Sequence, residues 1–311
     1  MPQVVAYLGP PGTFTEEALL TQADLAGAEL LALRPMPEVL AAVADGRADA
    51  GFLALENAID GTVHETMDGL VFEHDLLIQR EVEIGIRLHL LAPLATSLAD
   101  VRRVVSFPKA LAQCRHWLAE HLPQVEVVAA NSTAEAVQLV GDGTIESGAA
   151  AVGTALAGKL YGLDTLAADI EDHPDNATRF VLVTRTEAGI PPPSGHDKTS
   201  IVCFQRSDEP GSLHSILGQF SARGLNLTKI ESRPTKQGLG QYCFIIDLEG
   251  HVDDEVVADC LRDLHASLAG LKFLGSYPAA GDDGPELRRE AQSAWREADD
   301  WVGALRARVR R

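Results

Sequence analysis

The chain has 311 residues, 46% of them hydrophobic and 23% charged, which is typical of a globular protein with about two domains. Its formal net charge of −19 argues against nucleic-acid backbones and anionic membranes as partners, because like charges repel. We therefore expect no nucleic-acid partner and no membrane partner. An anionic metabolite would need local positive potential, which helix N-termini and single arginines can supply.

Residues 4–8 are predicted to form a first β-strand. Neither a basic stretch nor a long apolar stretch marks this end as a signal peptide, so we expect a cytoplasmic protein. No apolar run approaches the roughly 20 residues that a membrane-spanning helix needs.

The cysteines have no CxxC spacing, and in a reducing compartment we interpret them as small buried hydrophobes. They are Cys114, Cys203, Cys243 and Cys260. His64-Glu65 begins like a zinc-protease motif, but Asp68 stands where the second histidine is needed. We predict no metal site.

Strands and helices alternate through the first half of the chain, which predicts an α/β fold. The predicted elements there are strand 4–8, a helix after Thr15, strand 51–55, helix 63–72 and extended segment 76–87. The alternation restarts near residue 88, with strand 101–106, helix 110–121, strand 125–130, a helix from Thr133 and strand 148–152. Residues 180–183 are then predicted to form one more buried strand, which can return the chain to the first lobe. Two crossings between two lobes predict a ligand-binding cleft.

Residues 190–195 contain three prolines and a glycine, so they form the clearest linker. The predicted elements after it have the βαββαβ order of a ferredoxin-like fold: 199–205, 212–223, 227–233, 242–248, 253–268 and 273–277. Residues 285–311 have a single apolar stripe at helical spacing, which suits either an oligomer contact or packing on the same subunit. The predicted division is therefore 1–189 (second lobe about 85–170), linker 190–198, domain 199–278 and a charged helical tail 279–311.

Two predicted helix starts could bind carboxylates. The first follows strand 4–8, where Gly12 permits close backbone approach and Thr13 forms a capping box with Glu16. The second follows strand 125–130, where Ser132 and Glu135 have the same spacing. For either motif taken alone, plain helix capping is the alternative explanation, and it is the one that the motif favours.

Two further clusters combine polar groups with the ends of strands. Glu56, Asn57 and Gly61 follow one strand, where open α/β sheets place ligands. Asn176, Thr178, Arg179 and Phe180 precede the returning strand and supply an amide, a hydroxyl, a guanidinium and a ring. An arginine suits bidentate binding of a carboxylate.

In their order and separation, these motifs resemble the prephenate dehydratase family. Beyond the linker, Pro210-Gly211-Ser212-Leu213 and Glu231-Ser232-Arg233-Pro234 resemble the effector motifs of its regulatory ACT domain. The resemblance implies a two-lobed catalytic domain like periplasmic binding proteins, followed by the ferredoxin-like ACT domain. It covers about residues 3–278, and because no chorismate mutase segment precedes Val4, we expect a monofunctional enzyme.

The resemblance implies loss of carbon dioxide and water from prephenate to give phenylpyruvate, without a cofactor. Thr178 would donate to the departing hydroxyl, Arg179 would bind a carboxylate, and Glu56 with Asn57 would polarise the network or supply the proton. For Phe180, core packing is an alternative to contact with the substrate ring. The expected substrate-binding residues are Gly12, Thr13, Thr15, Gly61, Ser132, Thr133 and Asn176.

L-Phenylalanine is the expected effector, bound where ACT domains pair into a homodimer or homotetramer. The expected effector-binding residues are Gly211, Ser212, Leu213, Asn226, Leu227, Glu231, Ser232, Arg233 and Pro234.

Three features depart from the family pattern: Ala58 stands where a serine is usual, Phe107 where many relatives have histidine, and Ser212 with His214 flank Leu213. Arogenate dehydratase and a non-catalytic metabolite sensor remain as alternative functions.

Overall fold

The computed structural model describes residues 2–25, 27–145, 148–206, 209–236, 238, 240–281 and 300–308. The chain divides into two compact units. Unit 1 contains Met1–Gly69 and Val82–Leu182, and unit 2 contains Leu70–Glu81 and Val183–Arg311. The segment Leu70–Glu81 therefore packs with the C-terminal part of the chain, although it lies within the first half of the sequence.

The helices and strands follow in chain order. The first part contains β1 (Val4–Leu8), α1 (Phe14–Leu20), β2 (Glu29–Leu33), α2 (Met36–Ala44), β3 (Ala50–Asn57), β4 (Gly61–Thr62), α3 (His64–Asp68) and β5 (Leu76–Gly85). The middle part contains β6 (His89–Ala92), β7 (Arg103–Ser106), α4 (Pro108–Gln113), α5 (Arg115–His121), β8 (Glu126–Ala129), α6 (Thr133–Gly141), β9 (Ala149–Gly153), α7 (Ala155–Tyr161) and β10 (Asp164–Ala167). The last part contains β11 (Ala177–Arg185), β12 (Asp197–Phe204), α8 (Ser212–Ser221), β13 (Leu227–Pro234), β14 (Tyr242–Glu249), α9 (Glu255–Ser267) and β15 (Gly270–Pro278).

Three sheets organise these elements. The first has the order β2-β1-β3-β11-β5, with β4 paired to β3; the second has the order β10-β6-β9-β7-β8. The third has the order β13-β14-β12-β15, and its elements follow the βαββαβ sequence. The prediction of two α/β lobes and a ferredoxin-like domain is confirmed, including the return of the chain through β11 to the first sheet.

The two lobes of unit 1 are joined by two chain crossings that lie side by side. The Ile86 N–H donates to the Asn176 carbonyl at 2.8 Å, and the Ile170 N–H donates to the Leu88 carbonyl at 2.8 Å. The buried Glu171 side chain fixes the pair further, because its carboxylate accepts from the Leu88 N–H at 2.9 Å. The crossings therefore form a short, hydrogen-bonded double connection.

The sequence did not predict every element. β2, α2, β6, α7 and β10 were missed; in β2 the sequence Glu-Leu-Leu-Ala-Leu favours helix, and parallel pairing with β1 decides for strand. The predicted helix 110–121 is interrupted at Cys114, which has φ −115° and ψ 12°. The predicted helix 63–72 is α3 followed by a π-helical turn at Gly69–Glu73.

Within unit 2, β15 packs closely on the segment Leu70–Glu81. Gly275 has φ +146°, and an added Cβ would lie 2.5 Å from the Ile78 carbonyl oxygen. The Lys272 ammonium donates to the carbonyls of His74 at 2.8 Å and Val71 at 3.3 Å, and burial lowers the pKa of this lysine. Gly275 and Lys272 thus allow this part of β15 to pack against the segment Leu70–Glu81.

All four cysteines are buried, as predicted. Among the helices that the structure describes, none is long and apolar enough to cross a bilayer. Residues 300–306 are helical, with Trp301 and Leu305 exposed, whereas the rest of the predicted amphipathic tail, residues 282–299 and 309–311, lies outside the described residues.

Candidate active site

Asn57, at the end of β3, joins two of the predicted clusters. Its Oδ1 accepts the backbone N–H groups of Ile59 and Asp60, each at 3.0 Å, which closes the turn after the strand. Its Nδ2 donates to Asn176 Oδ1 at 2.9 Å and to Thr178 Oγ1 at 2.8 Å. The fold thus brings together an amide from the first half of unit 1 and the residues that begin the returning strand.

Thr178 is the second residue of β11, and it is 8% exposed. Because its oxygen accepts the hydrogen bond from Asn57, its own O–H can still donate to another acceptor. A hydroxyl held in this way has a defined orientation and an available proton.

Arg179 and Glu56 form a second pair beside the first. The Nη1 atom of Arg179 lies 3.6 Å from Oε2 of Glu56, with the two side chains 12% and 34% exposed. Both pairs join the last residues of β3 to the first residues of β11. The carboxylate is placed to orient the guanidinium.

Phe180 is a correction to the predicted catalytic set. Its ring is 1% exposed and stacks on Phe52, with 5.7 Å between ring centroids and an interplanar angle of 8°. Both rings belong to the core of the first lobe. A ring enclosed by core residues cannot contact a substrate, so Phe180 anchors β11.

The first predicted helix start is occupied by its own side chains. The Gly12 N–H donates to Glu16 Oε2 at 2.5 Å, and Thr13 Oγ1 donates to the Leu8 carbonyl while accepting from the Glu16 N–H. The Gly12 N–H is thus bonded within its own loop, and the role of Gly12 in substrate binding stays a prediction. Thr15 is 5% exposed and belongs to the buried face of α1.

Gly12 instead joins the two lobes. Its carbonyl accepts from Thr154 Oγ1 at 2.8 Å, and the neighbouring Pro11 carbonyl accepts from Tyr161 Oη at 3.0 Å. Gly12 has φ +92°, and an added Cβ would lie 2.9 Å from the Cβ of Ala157. The glycine is therefore needed for this close approach.

The second helix start has the same capping arrangement. Ser132 Oγ accepts from the Glu135 N–H at 3.0 Å, and Glu135 Oε2 accepts from the Asn131 N–H at 2.7 Å. Both glutamates thus bond the residue before the N-cap residue. Thr133 is half-buried at the first position of α6.

Gly61 is the first residue of β4 and pairs with Asn57, with φ +75° and open space where a Cβ would be. Its conformation explains why a glycine stands there. The role of Gly61 in substrate binding stays a prediction.

One site residue was missed from the sequence. Gln113, the last residue of α4, accepts a hydrogen bond at its Oε1 from Asn176 Nδ2 at 3.3 Å. This contact extends the amide network from Asn57 through Asn176 into the second lobe. No local motif marks Gln113, and the helix predicted over 110–121 did not place it at a helix end.

Unit 2 contains a cavity of about 510 Å³ beside the start of α8. It is lined by Gln205, Glu209, Gly211, Ser212, Leu213, His214, Leu217 and Phe244. Three predicted effector residues, Gly211, Ser212 and Leu213, thus share one cavity. Gly211 precedes α8 with φ +92°, and the hydroxyl of Ser212 bonds the backbone of Glu209.

The other predicted effector residues lie at the edge strand β13 and just before it. Asn226 Nδ2 donates to Glu249 Oε1 at 3.0 Å, and Leu227 packs on the core of this domain. Glu231 Oε1 lies 3.8 Å from Arg233 Nη1, whereas Ser232 and Pro234 are exposed. These residues do not line the described cavity, so their role in effector binding stays a prediction.

Comparison with known proteins gives the same assignment over nearly the whole chain. The family model of prephenate dehydratase matches residues 5–188, and that of the ACT domain matches residues 199–266. A prephenate dehydratase of Mycolicibacterium vanbaalenii is 43% identical over 316 residues, which cover 97% of this chain and 98% of that protein.

Solved structures agree. The prephenate dehydratase of Arthrobacter aurescens in complex with L-Phe has a TM-score of 0.87 and 38% identity, covering 97% of this chain and 99% of that one. GqqA, described as a novel type of quorum-quenching acylase, has a TM-score of 0.80 and 31% identity, covering 89% of this chain and 98% of that one. The matches in sequence, fold and domain order establish that the chain belongs to the prephenate dehydratase family and carries an ACT domain.

Proposed function

We propose that the protein converts prephenate into phenylpyruvate, carbon dioxide and water. The bond between the ring carboxylate and its ring carbon breaks and releases carbon dioxide, and the electron pair of that bond moves into the ring. The ring hydroxyl leaves together with a proton as water. Aromatisation supplies the driving force. The protein needs only to hold the dianion and to assist the leaving hydroxyl.

The hydrogen bond from Asn57 to Thr178 carries this proposal. Since Thr178 accepts at its oxygen, its O–H is directed away from Asn57 and can donate to the leaving hydroxyl of a bound substrate. Asn176 and Gln113 fix the position of the network from the other side. A preorganised donor of this kind stabilises charge that develops only in the transition state.

Arg179 is proposed to supply the positive charge that an acidic protein needs in order to bind a dianion. The adjacent Glu56 orients the guanidinium at 3.6 Å. This arrangement supports an orienting role for Glu56 in place of the proton source considered from the sequence. Thr13, Thr15, Ser132 and Thr133 are proposed to contribute through the helix starts, whose first backbone N–H groups favour anions.

Regulation by L-phenylalanine is proposed at the ACT domain. The cavity beside Gly211, Ser212 and Leu213 opens at the start of a ten-residue helix, where backbone N–H groups can receive an amino-acid carboxylate. The complex of the Arthrobacter aurescens relative with L-Phe supports this effector. We further propose a cytoplasmic homodimer or homotetramer that pairs through residues 199–278.

Incubation of the purified protein with prephenate and with arogenate tests the function. Phenylpyruvate is expected to form from prephenate, and its absorbance in alkali measures the reaction. Formation of phenylalanine from arogenate at a higher kcat/KM would assign the arogenate reaction instead. Turnover of neither compound would favour a non-catalytic sensor.

A further inference from the structure

The break between α4 and α5 is held together by a residue from a distant segment. α5 has no hydrogen bond from the side chain of its own N-cap residue, Cys114. The carboxylate of Asp172 takes that place: it accepts the His116 N–H at 3.2 Å and the Trp117 N–H at 3.3 Å. The Asp172 side chain is only 6% exposed.

Asp172 bonds the other side of the break as well. Its backbone N–H donates to the carbonyl of Gln113, the last residue of α4, at 2.6 Å. One residue therefore accepts from the start of one helix and donates to the end of the preceding helix. This double contact fixes the angle at which α4 ends.

Gln113, whose backbone is fixed in this way, also belongs to the amide network. Gln113 Oε1 accepts from Asn176 Nδ2, and Asn176 Oδ1 accepts from Asn57 Nδ2, which also donates to Thr178. Asn176 lies four residues after Asp172 in the same crossing segment. The backbone and the side chain of Gln113 are thus both bonded to that segment, at Asp172 and at Asn176.

We propose that Asp172 is a positioning residue for the dehydration: by clamping the break at Cys114 it holds the Gln113 amide against Asn176 and thereby fixes the Asn57–Thr178 pair. The inference rests on the proposed role of Thr178. Removal of the carboxylate leaves the first N–H groups of α5 without this acceptor, so the end of α4 gains freedom to turn. Displacements of about 1 Å in a positioned group can reduce a rate about 100-fold.

A double-mutant cycle in the full-length protein tests the proposal through prephenate kinetics. Asp172→Ala is expected to lower kcat by about 10- to 100-fold with a smaller change in KM. Asp172→Asn keeps an oxygen acceptor and should retain most of the rate. In a Gln113→Ala background, Asp172→Ala should cause no further loss of kcat, because both act through one residue.

The matched control is Asp100→Ala. Asp100 also caps a helical turn of the second lobe through its carboxylate, which accepts from the Ser97 N–H at 3.0 Å, but it is exposed and outside the amide network. This variant should keep kcat within twofold of the unmodified protein. A loss of rate in it equal to that in Asp172→Ala would show that capping in this lobe acts only through general stability, and would overturn the proposal.

Additive losses from Asp172→Ala and Gln113→Ala would also overturn it, as would full activity of folded Asp172→Ala. Full activity of Gln113→Ala, with Thr178→Val impaired, would refute the inference and leave the proposed function standing. Full activity of Thr178→Val would instead refute the proposed role of Thr178 itself. If Asp172→Ala does not fold, Asp172→Ser goes through the same cycle and is judged by the same outcomes.

Discussion

Lys198 and Glu81 form a buried ion pair within unit 2. Nζ of Lys198, near the start of β12, lies 2.7 Å from Oε1 of Glu81 on β5, and their side chains are 19% and 2% exposed. Glu81 Oε1 also accepts the Ala280 N–H at 2.8 Å. Within unit 2, the first strand of the ACT domain is thereby bonded to the segment Leu70–Glu81.

Lys198→Met should destabilise the protein by about 3–5 kcal/mol, because it leaves the Glu81 carboxylate buried beside an apolar group. The double change Lys198→Met with Glu81→Gln should recover much of that loss, since no buried charge remains. Urea denaturation measures both. Arg47→Met is the matched control: its ion pair with Glu38 is about half exposed on both sides and should contribute less than about 1 kcal/mol. If Lys198→Met and Arg47→Met lowered the free energy of unfolding equally, the assignment of Lys198 and Glu81 as a buried pair would be contradicted.

Thr178 should act through its hydroxyl. Thr178→Val removes the donor at nearly constant shape and is expected to reduce kcat by about 10²–10⁴-fold with KM little changed. Thr178→Ser keeps the donor and should retain much of the rate. Steady-state kinetics with prephenate distinguish the two variants. A valine variant that is as fast as the serine variant would remove Thr178 as the donor.

Gly12 should be intolerant of any side chain. Gly12→Ala places a Cβ 2.9 Å from that of Ala157 and adds strain at φ +92°, so it should lower stability by about 1–3 kcal/mol and disturb the contact between the lobes. Gly85→Ala is the control, because its added Cβ meets open space without a positive φ. Thermal unfolding compares the two. Similar melting temperatures for both variants would show that the loop at Gly12 adapts.

The effector site can be tested with two glycines. Gly211→Ala strains the start of α8 at φ +92° beside the cavity and should weaken L-phenylalanine binding by about tenfold or more. Gly224→Ala has comparable strain at φ +65°, also in open space, but lies away from the cavity lining and should leave binding intact. Titration calorimetry measures the affinity, and prephenate turnover measures the response. Equal losses in both variants would indicate a general effect of strain.

These point variants are preferable to a chain that ends near residue 189. The segment Leu70–Glu81 packs in unit 2, where Lys272 bonds two of its carbonyls. Truncation would therefore remove the hydrogen bonds from Lys272 and the close contact of Gly275 with the Ile78 backbone. A loss of activity in such a fragment would report damage to the first sheet as well as loss of the effector site.

Stability should fall at alkaline pH because of buried thiols. Burial raises the pKa of Cys203 from its ordinary value of 9.0 to about 12. Its folded-state pKa lies above its unfolded value, so this contribution to stability is complete below pH 9 and is lost as the pH rises toward 12. In that range each such thiol lowers stability by about 1.4 kcal/mol per pH unit. Cys203→Ala should show a smaller drop in the urea midpoint between pH 8 and pH 11, measured with reductant present. An unchanged drop would contradict the role of this thiol.

Local patterns in the sequence account for much of the site. The capping spacing of Thr13 with Glu16 and of Ser132 with Glu135 predicted both helix starts, because a cap depends on residues three or four positions apart. The same patterns could not show that the Gly12 N–H is already bonded by Glu16. Whether a helix start is open to a ligand depends on side-chain placement.

The sequence by itself determined the βαββαβ order of the C-terminal domain and the residues of the Glu56-Asn57 and Thr178-Arg179 motifs. Tertiary structure decided what those residues contact. Phe180 is adjacent to Arg179 in sequence, yet strand alternation and the stacked Phe52 ring place it in the core. Gln113 and Asp172 carry no motif, and they meet only because the second crossing passes the break between α4 and α5. Contacts between residues far apart in the chain arise from the packing of whole elements, and for that reason local sequence patterns cannot determine them.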